Sequence, residues 1–331
     1  MHELPTLSLA ELYSNRDQFI YSLSRVAREV GFFYLSDFGV NNEKINNIHH
    51  IATDFFTLSS EEKNKVSMIN SPHFRGFSGI GEEKTKGSID IREQFDVMNE
   101  EPVRQLEDSP LWMNIYGPNQ WPASIPHMRE LILDFMNDLS FIAQELLSAF
   151  ALALEQDPDV FNHSIMGNPY QHLKLIRYPN VDSAQSSSRQ GVGAHKDPGY
   201  LTLLLQDKVS GLEVLINDRW LAVPPKKDTL IVNIGELLEL ASDGYLKATE
   251  HRVVSPNHGQ ERFSIAYFMG PRLESRVPKL LLPERLKNQA LGPTSDPNNP
   301  LFYQVGDNVL KGRLRSHPEV ANKYYKTIVK N

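Results

Sequence analysis

Seven short strand-like segments between residues 171 and 270 constrain the fold more than any other feature of this 331-residue chain. They are rich in β-branched and aromatic residues, which favour strands, and turn sequences such as NDR and PPKKD separate them. The segments are HLKLIRY, YLTLLLQ, LEVLI, WLAV, TLIVNIG, EHRVV and RFSIAYF. Many short strands in succession are typical of a barrel or jelly roll, and we expect one here.

The part of the chain that precedes these strands has a helical pattern. Apolar residues recur at helical spacing near residues 19–30 and 45–56, and most strongly from about 124 to 155. We therefore expect an α+β fold with a mainly β core and N-terminal helices outside it. The predicted regions are an N-terminal helical and β region over 1–120, a long packing helix over 121–158, the β core over 159–275 and a C-terminal extension with a helix over 276–331, all in one integrated domain.

Composition excludes several classes of protein. The net charge is −7 at pH 7 and the basic residues are scattered, which argues against a nucleic-acid partner. The chain has no cysteine, which excludes disulfides, thiolate zinc sites and iron–sulfur clusters and leaves His, Asp and Glu as strong metal ligands. No signal peptide and no apolar run of about 18 residues is present, so we expect a soluble cytoplasmic protein without a membrane partner. The oligomeric state is not indicated.

A histidine and an aspartate two residues apart, His195 and Asp197, stand at the head of the second segment. Residues two apart on a strand point to the same side, so both could bind one metal ion. His251, 56 residues downstream, is the candidate third ligand. Two histidines and one carboxylate form the facial triad of Fe(II) enzymes that activate O₂. The alternative is a chance motif, since a second copy of the spacing occurs at His317 and Glu319.

An arginine and a serine two apart, Arg262 and Ser264, lie in the last strand segment. They share one face of the predicted strand, where a guanidinium beside a hydroxyl suits a carboxylate ligand. An arginine within an apolar strand is costly without an anion to pair with it. The alternative is a structural Asp or Glu partner from the protein itself.

These motifs resemble, in order and spacing, the iron- and 2-oxoglutarate-dependent oxygenase superfamily, and more narrowly its isopenicillin N synthase-like branch. The resemblance rests on GFFYLSDFGV, LIRYP, AHKDPGYLTLLLQD, GLEVLINDRWLAVPP, LIVNIGELLELASDGYLKATEHRV and ERFSIAYFMGP. It implies a double-stranded β-helix, which is a distorted jelly roll, with helices packed outside.

The resemblance also assigns roles to individual residues. His195, Asp197 and His251 match the Fe(II) ligands, and Arg262 and Ser264 match the pair that binds the far carboxylate of 2-oxoglutarate. A further match is Tyr178, at the position of a tyrosine that contacts co-substrate or substrate, whereas Ile176 stands where many plant members have asparagine. The implied enzyme is a dioxygenase that uses O₂ and 2-oxoglutarate, with ascorbate as an optional reductant.

The substrate implied by the resemblance is an unidentified small molecule, which is hydroxylated, desaturated or cyclised. Arg75, Arg92 and Arg177 are candidates to bind an anionic group on it, and Phe268 is a candidate for the pocket wall. For the arginines the alternative is an ordinary ion pair, and for Phe268 it is plain core packing. The C-terminal helix is expected to cover the barrel mouth.

Three rival functions fit the same ligands. The first is an Fe(II) oxidase of the isopenicillin N synthase or ACC oxidase type that does not use 2-oxoglutarate. The second is a sensor that binds metal and 2-oxoglutarate without turnover. The third is a hydrolytic zinc enzyme, since two His and one Asp can also hold zinc.

Overall fold

A computed structural model describes residues 3–104, 108–180, 190–294, 296 and 299–326. The strands are β1 (Thr6–Ser8), β2 (Phe32–Ser36), β3 (Gly76–Ser78), β4 (Lys84–Thr85), β5 (Ser88–Ile89), β6 (Glu93–Met98), β7 (Tyr170–Tyr178), β8 (Gln190–His195), β9 (Leu201–Gln206), β10 (Leu212–Ile216), β11 (Arg219–Ala222), β12 (Leu230–Ile234), β13 (His251–Val254) and β14 (Arg262–Gly270). The helices are α1 (Glu11–Ser14), α2 (Arg16–Glu29), α3 (Asn42–Thr57), α4 (Ser60–Lys65), α5 (Met128–Ala153), α6 (Asn162–Ile165), α7 (Glu236–Ala241), α8 (Glu284–Lys287), α9 (Val305–Ser316) and α10 (Pro318–Tyr324).

Two sheets form the β core. The larger has eight strands in the order β1-β2-β12-β9-β14-β7-β6-β3, and the smaller has four in the order β11-β10-β13-β8. All the pairs except β1–β2 are antiparallel. The seven strand segments expected from the sequence correspond to β7 and β9–β14, and β8 is a strand that the sequence pattern did not predict.

Apolar side chains from both sheets meet in one buried cluster between them. Tyr34 and Ile176 enter it from the larger sheet, and Val214 and Val253 enter it from the smaller one. Because successive strand residues point to opposite faces, the other set of side chains points away from this interior. This arrangement is the double-stranded β-helix that the sequence implied.

The outer face of the larger sheet is covered by helices. Residues of α2, α3 and α5 share a second apolar cluster with outward residues of β7, β9 and β14. The long helix predicted near 124–155 is confirmed as α5, and its apolar stripe is buried. The division of the chain at residues 120, 158 and 275 stays a prediction.

The described part of the C-terminal region contains two helices more than the sequence pattern indicated. The predicted helix near residues 317–330 is present as α10 within the described residues, and α9 precedes it. Neither α8 nor α9 was predicted from the sequence pattern. None of the helices in the described ranges combines the length and apolar character needed to cross a membrane.

Truncation of a buried residue of α5 tests this packing. Leu146 is fully buried, and Leu146→Ala should lower the free energy of unfolding by about 2–5 kcal/mol because it leaves a cavity. Phe141 lies on the same helix with 61% of its surface exposed, so Phe141→Ala should change it by less than about 0.5 kcal/mol. Denaturant titration of both variants measures the difference, and equal losses would contradict the assigned helix face.

Candidate metal centre and active-site cavity

The two histidines of the predicted triad lie side by side on neighbouring strands. His195 ends β8, His251 begins β13, and the two residues are partners in the antiparallel ladder. Asp197 lies in the turn between β8 and β9, not on a shared strand face as the sequence analysis expected. It nevertheless joins the histidines, since its Oδ1 lies 3.4 Å from Nε2 of His195 and 3.5 Å from Nε2 of His251.

Both imidazole rings are oriented by the backbone. Nδ1 of His195 is 2.8 Å from the carbonyl oxygen of Gly193, and Nδ1 of His251 is 3.1 Å from that of Thr249. A carbonyl can only accept a hydrogen bond, so each Nδ1 carries the proton and donates it. The lone pair of each Nε2 is therefore free and faces the aspartate, which is the tautomer that a metal ligand requires.

The carboxylate of Asp197 is held from behind. Its Oδ2 accepts hydrogen bonds from Oγ1 of Thr202 at 2.7 Å and from Nδ2 of Asn233 at 2.8 Å, which leaves Oδ1 facing the histidines. Two hydrogen bonds donated to a carboxylate favour its charged form over the protonated one. The carboxyl group is therefore ionised and oriented.

Together these donors fit a ferrous ion. One ligand atom from each residue lies within 4.8 Å of the others, and Asp197 and His251 are buried. Two neutral imidazoles and one ionised carboxylate, each fixed by a hydrogen bond to its far side, are the ligand set of non-haem Fe(II) oxygenases.

The predicted carboxylate clamp lies on β14, on the inner face of the larger sheet. Arg262 is fully buried and donates to the carbonyl oxygen of Val209 at 3.2 Å, to Oγ of Ser264 at 3.3 Å and to Oε1 of Gln206 at 3.0 Å. Its guanidinium lies 4.9 Å from the ring centre of Tyr178. Each of these partners is neutral, so the buried positive charge calls for an anion.

A cavity of about 390 Å³ lies beside the triad. His195 and Asp197 line it, and so do Arg92 and Phe268, two of the four predicted substrate-binding residues. Arg262 and Ser264 are not part of the lining. Ile176 does line the cavity, and it pairs with Ser264 in the β7–β14 ladder.

The other two predicted substrate residues are not brought to this cavity. Arg75 is fully buried and donates to backbone carbonyls, at 2.5 and 2.9 Å for the two nearest. Arg177 points away from the inner face of β7 and forms ion pairs with Glu93, at 2.7 Å, and with Glu261. For both residues the structural alternative describes what is observed.

Paired charges form one wall of the cavity. Glu83 accepts from Arg92 at 2.5 Å and from Lys174 at 3.0 Å, and all three side chains are buried. The predicted substrate residue Arg92 is thus already committed to a carboxylate of the protein.

A second buried group joins this wall to helix α9. Nε2 of His172 donates to Oδ1 of Asp96 at 2.6 Å, and Nδ1 of His172 accepts from Arg313 at 2.7 Å. Burial lowers the pKa of His172 to about 3, helped by the charge of Arg313, and burial lowers the pKa of His317 to about 4. Both imidazoles are therefore neutral near pH 7.

Several cavity residues were missed by the sequence analysis. Lys174 alternates with Ile176 and Tyr178 along β7, so the strand period could have placed it on the inner face. Lys311, Arg313 and Arg315 lie on α9 and line the cavity, but this helix has no strong sequence signal. A final missed residue is Glu236, at the first position of α7; burial raises its pKa to about 7, although nearby lysines oppose the shift.

Comparison with known proteins gives two family models and several relatives that match this chain. Residues 4–124 match the family model described as non-haem dioxygenase in morphine synthesis N-terminal, and residues 162–271 match the 2OG-Fe(II) oxygenase superfamily. The 2-oxoglutarate-dependent dioxygenase frbJ of Dothideomycetidae sp. is 31% identical over 96% of this chain and 90% of its own length. An Arabidopsis thaliana protein named homoarginine-6-hydroxylase is 32% identical over 79% of each chain.

The fold is also that of a solved structure. A full-length Neurospora crassa protein, solved in complex with alpha-KG, superposes with a TM-score of 0.76 and 24% sequence identity, over 94% of this chain and 95% of that chain. This likeness supports the double-stranded β-helix.

Removal of one hydroxyl behind the aspartate tests the centre. Thr202→Val keeps the shape of the side chain but deletes a hydrogen bond to Asp197, so Fe(II) affinity should fall by roughly 10- to 100-fold. Thr53→Val changes an exposed threonine on α3 and should leave the affinity unchanged. Anaerobic calorimetry measures both, and an unchanged affinity in Thr202→Val would contradict the assigned role of this hydroxyl.

The buried histidines predict how stability depends on pH. His172 and His317 have pKa values in the folded state below the ordinary value near 6.5, so the unfolded chain binds more protons between about pH 4 and 6.5. Stability of the metal-free protein should therefore fall as the pH is lowered through this window, by up to about 1.4 kcal/mol per pH unit for each histidine.

His317→Gln isolates one of the two histidines. In this variant the unfolding free energy should depend less steeply on pH, because up to one proton fewer is taken up on unfolding. His50→Gln, at an exposed position, should leave this dependence unchanged. Denaturant titrations at several pH values measure the slope, and equal slopes in wild type and His317→Gln would show that His317 is not held neutral.

Proposed function

The chain belongs to the 2OG-Fe(II) oxygenase superfamily, and from this premise we propose that it hydroxylates a small polar molecule bound in the cavity beside His195 and Asp197. It is an Fe(II)- and 2-oxoglutarate-dependent dioxygenase, as the sequence predicted. In the proposed reaction, substrate, 2-oxoglutarate and O₂ give hydroxylated substrate, succinate and CO₂. When bound, Fe(II) supplies the activation of O₂ and 2-oxoglutarate supplies two electrons.

In this proposal His195, Asp197 and His251 hold the iron. Thr202 and Asn233 keep the carboxylate of Asp197 ionised and aimed at it, through hydrogen bonds of 2.7 and 2.8 Å. Because the three ligands are already fixed in position, less entropy is lost when the substrates reach the transition state.

The observation that carries the proposal is the buried charge of Arg262. Its partners Val209, Gln206 and Ser264 are neutral, so a bound carboxylate would provide the missing negative charge. We assign this role to the far carboxylate of 2-oxoglutarate, with Ser264 as a second donor. Tyr178, whose ring the guanidinium overlies, keeps that charge in place.

The substrate class that we favour is an amino acid. The cavity of about 390 Å³ suits a small molecule, and charged side chains surround it. The Arabidopsis relative is named for homoarginine, an amino acid, which supports this choice. We assign Arg92 to the wall rather than to direct binding of an anion, because Glu83 already pairs with it.

Two finer statements are also proposals. Membership of the isopenicillin N synthase-like branch is supported by the N-terminal match over residues 4–124. The cytoplasmic location stays a prediction from the sequence.

Turnover without the true substrate tests the proposed function. The Fe(II)-loaded protein should slowly convert 2-oxoglutarate into succinate and CO₂ in an O₂-dependent manner. Arg262→Met should raise the 2-oxoglutarate concentration for half-maximal succinate release by about 10- to 100-fold, because a charge-assisted hydrogen bond is worth about 1.5–3 kcal/mol. Ser264→Ala should give a smaller increase in the same direction.

A matched arginine variant serves as the control. Arg25→Met alters an exposed residue of α2 and should keep the wild-type requirement for 2-oxoglutarate. If the iron-loaded protein never releases succinate, the result would favour the rival function of a sensor that binds metal and 2-oxoglutarate without turnover. An unchanged requirement in Arg262→Met would remove Arg262 from the co-substrate site.

A further inference from the structure

Two opposite charges face the cavity without a partner of opposite sign. Glu236 begins α7 and Lys311 lies in the middle of α9, and both line the same cavity. Several other cavity charges are neutralised by neighbours, as in the pairs Glu250–Lys86 and Glu239–Lys196. Glu236 and Lys311 are therefore candidates to bind charged groups of a ligand.

Glu236 is fixed close to the metal centre by its backbone. Its N–H donates to the carbonyl oxygen of Asp197 at 2.8 Å. Within the described residues, no hydrogen bond and no ion pair within 4.0 Å engages its carboxylate, whereas Glu83, which lines the same cavity, has two cationic partners. Burial without a partner disfavours the charged form of this carboxyl group, and a ligand cation beside it would hold it ionised.

Lys311 and Arg315 provide the complementary positive charge. They lie four residues apart on α9 and therefore on the same side of it, where two like charges destabilise a helix. The Lys311 amine is half-buried and donates to the carbonyl oxygen of Pro300, a neutral acceptor. Among the residues that the structure describes, no carboxylate lies within 4.0 Å of either side chain, although Glu236 and Asp296 act on Lys311 from farther away.

The space between the two unpaired charges indicates which charges a ligand must carry. Glu236 and Lys311 act on each other electrostatically, yet the space between them exceeds the 4.0 Å of an ion pair. A ligand with only a carboxylate would leave Glu236 without a cation, and a ligand with only an amine would leave two basic side chains without an anion. A zwitterion satisfies both sides at once.

We propose that Glu236 receives the ammonium group, and Lys311 with Arg315 the carboxylate group, of a free α-amino acid substrate. The inference rests on the proposed function, since it concerns the substrate of that same site. It assigns α7 and α9 as the elements that determine specificity, and it makes both unblocked ends of the amino acid necessary for binding.

Paired ligands test the two halves of this site separately. The probes are L-homoarginine, L-arginine and L-lysine, each compared with its N-acetyl derivative and its methyl ester, titrated anaerobically into protein loaded with Fe(II) and 2-oxoglutarate. Calorimetry should show at least one free amino acid binding, and both of its blocked forms binding about 10-fold or more weakly. Glu236→Gln should remove the preference over the N-acetyl form, and Lys311→Met should reduce the preference over the methyl ester.

Glu319→Gln is the matched control for Glu236→Gln. Glu319 also lies in the first turn of a short helix, α10, but does not line the cavity, so this variant should keep both preferences. Equal binding of free and blocked forms would overturn the proposal, and so would the absence of binding by all three amino acids. If succinate is still released from 2-oxoglutarate in either case, the proposed function stands and only the amino-acid site fails.

Discussion

The site depends on the carboxylate of Asp197, because one of its oxygens is held by the protein and the other faces the metal site. Its Oδ2 accepts from Thr202 and Asn233, and its Oδ1 faces the two Nε2 atoms. Thr202 and Asn233 are partners in the β9–β12 ladder of the larger sheet, whereas the histidines belong to the smaller one. The carboxylate therefore links the sheets at the point where a metal ligand is needed, and the packing of the whole β core fixes its position.

Residue spacing predicted the chemistry of this site better than its geometry. The strand period correctly placed Arg262 and Ser264 on one face of β14, because both lie inside a regular strand. The same reasoning was wrong for His195 and Asp197, since β8 ends at the histidine and the aspartate reaches the site from a turn. That turn needs Gly199 in the left-handed region, at a φ of +91°, which a pattern of apolar residues does not reveal.

Substrate-side residues were harder to predict because they depend on long-range contacts. Arg75 and Arg177 carry the right charge, but one binds backbone carbonyls and the other pairs with acids outside the cavity. Helix α9 lacks a clear sequence signal and is held over the cavity by Arg313, which reaches Asp96 and His172 on two strands far away in the chain. Which charges are neutralised, and which remain for a ligand, is decided only when these elements meet.

The most direct measurement is an anaerobic titration of the Fe(II)-loaded protein with 2-oxoglutarate, followed through the weak visible charge-transfer band of a chelated keto acid. If the account is right, the band develops in wild type, is absent in His195→Ala and requires far more 2-oxoglutarate in Arg262→Ala. If iron is bound but no band develops in wild type, the co-substrate assignment is wrong, and Arg262 would then serve the substrate itself.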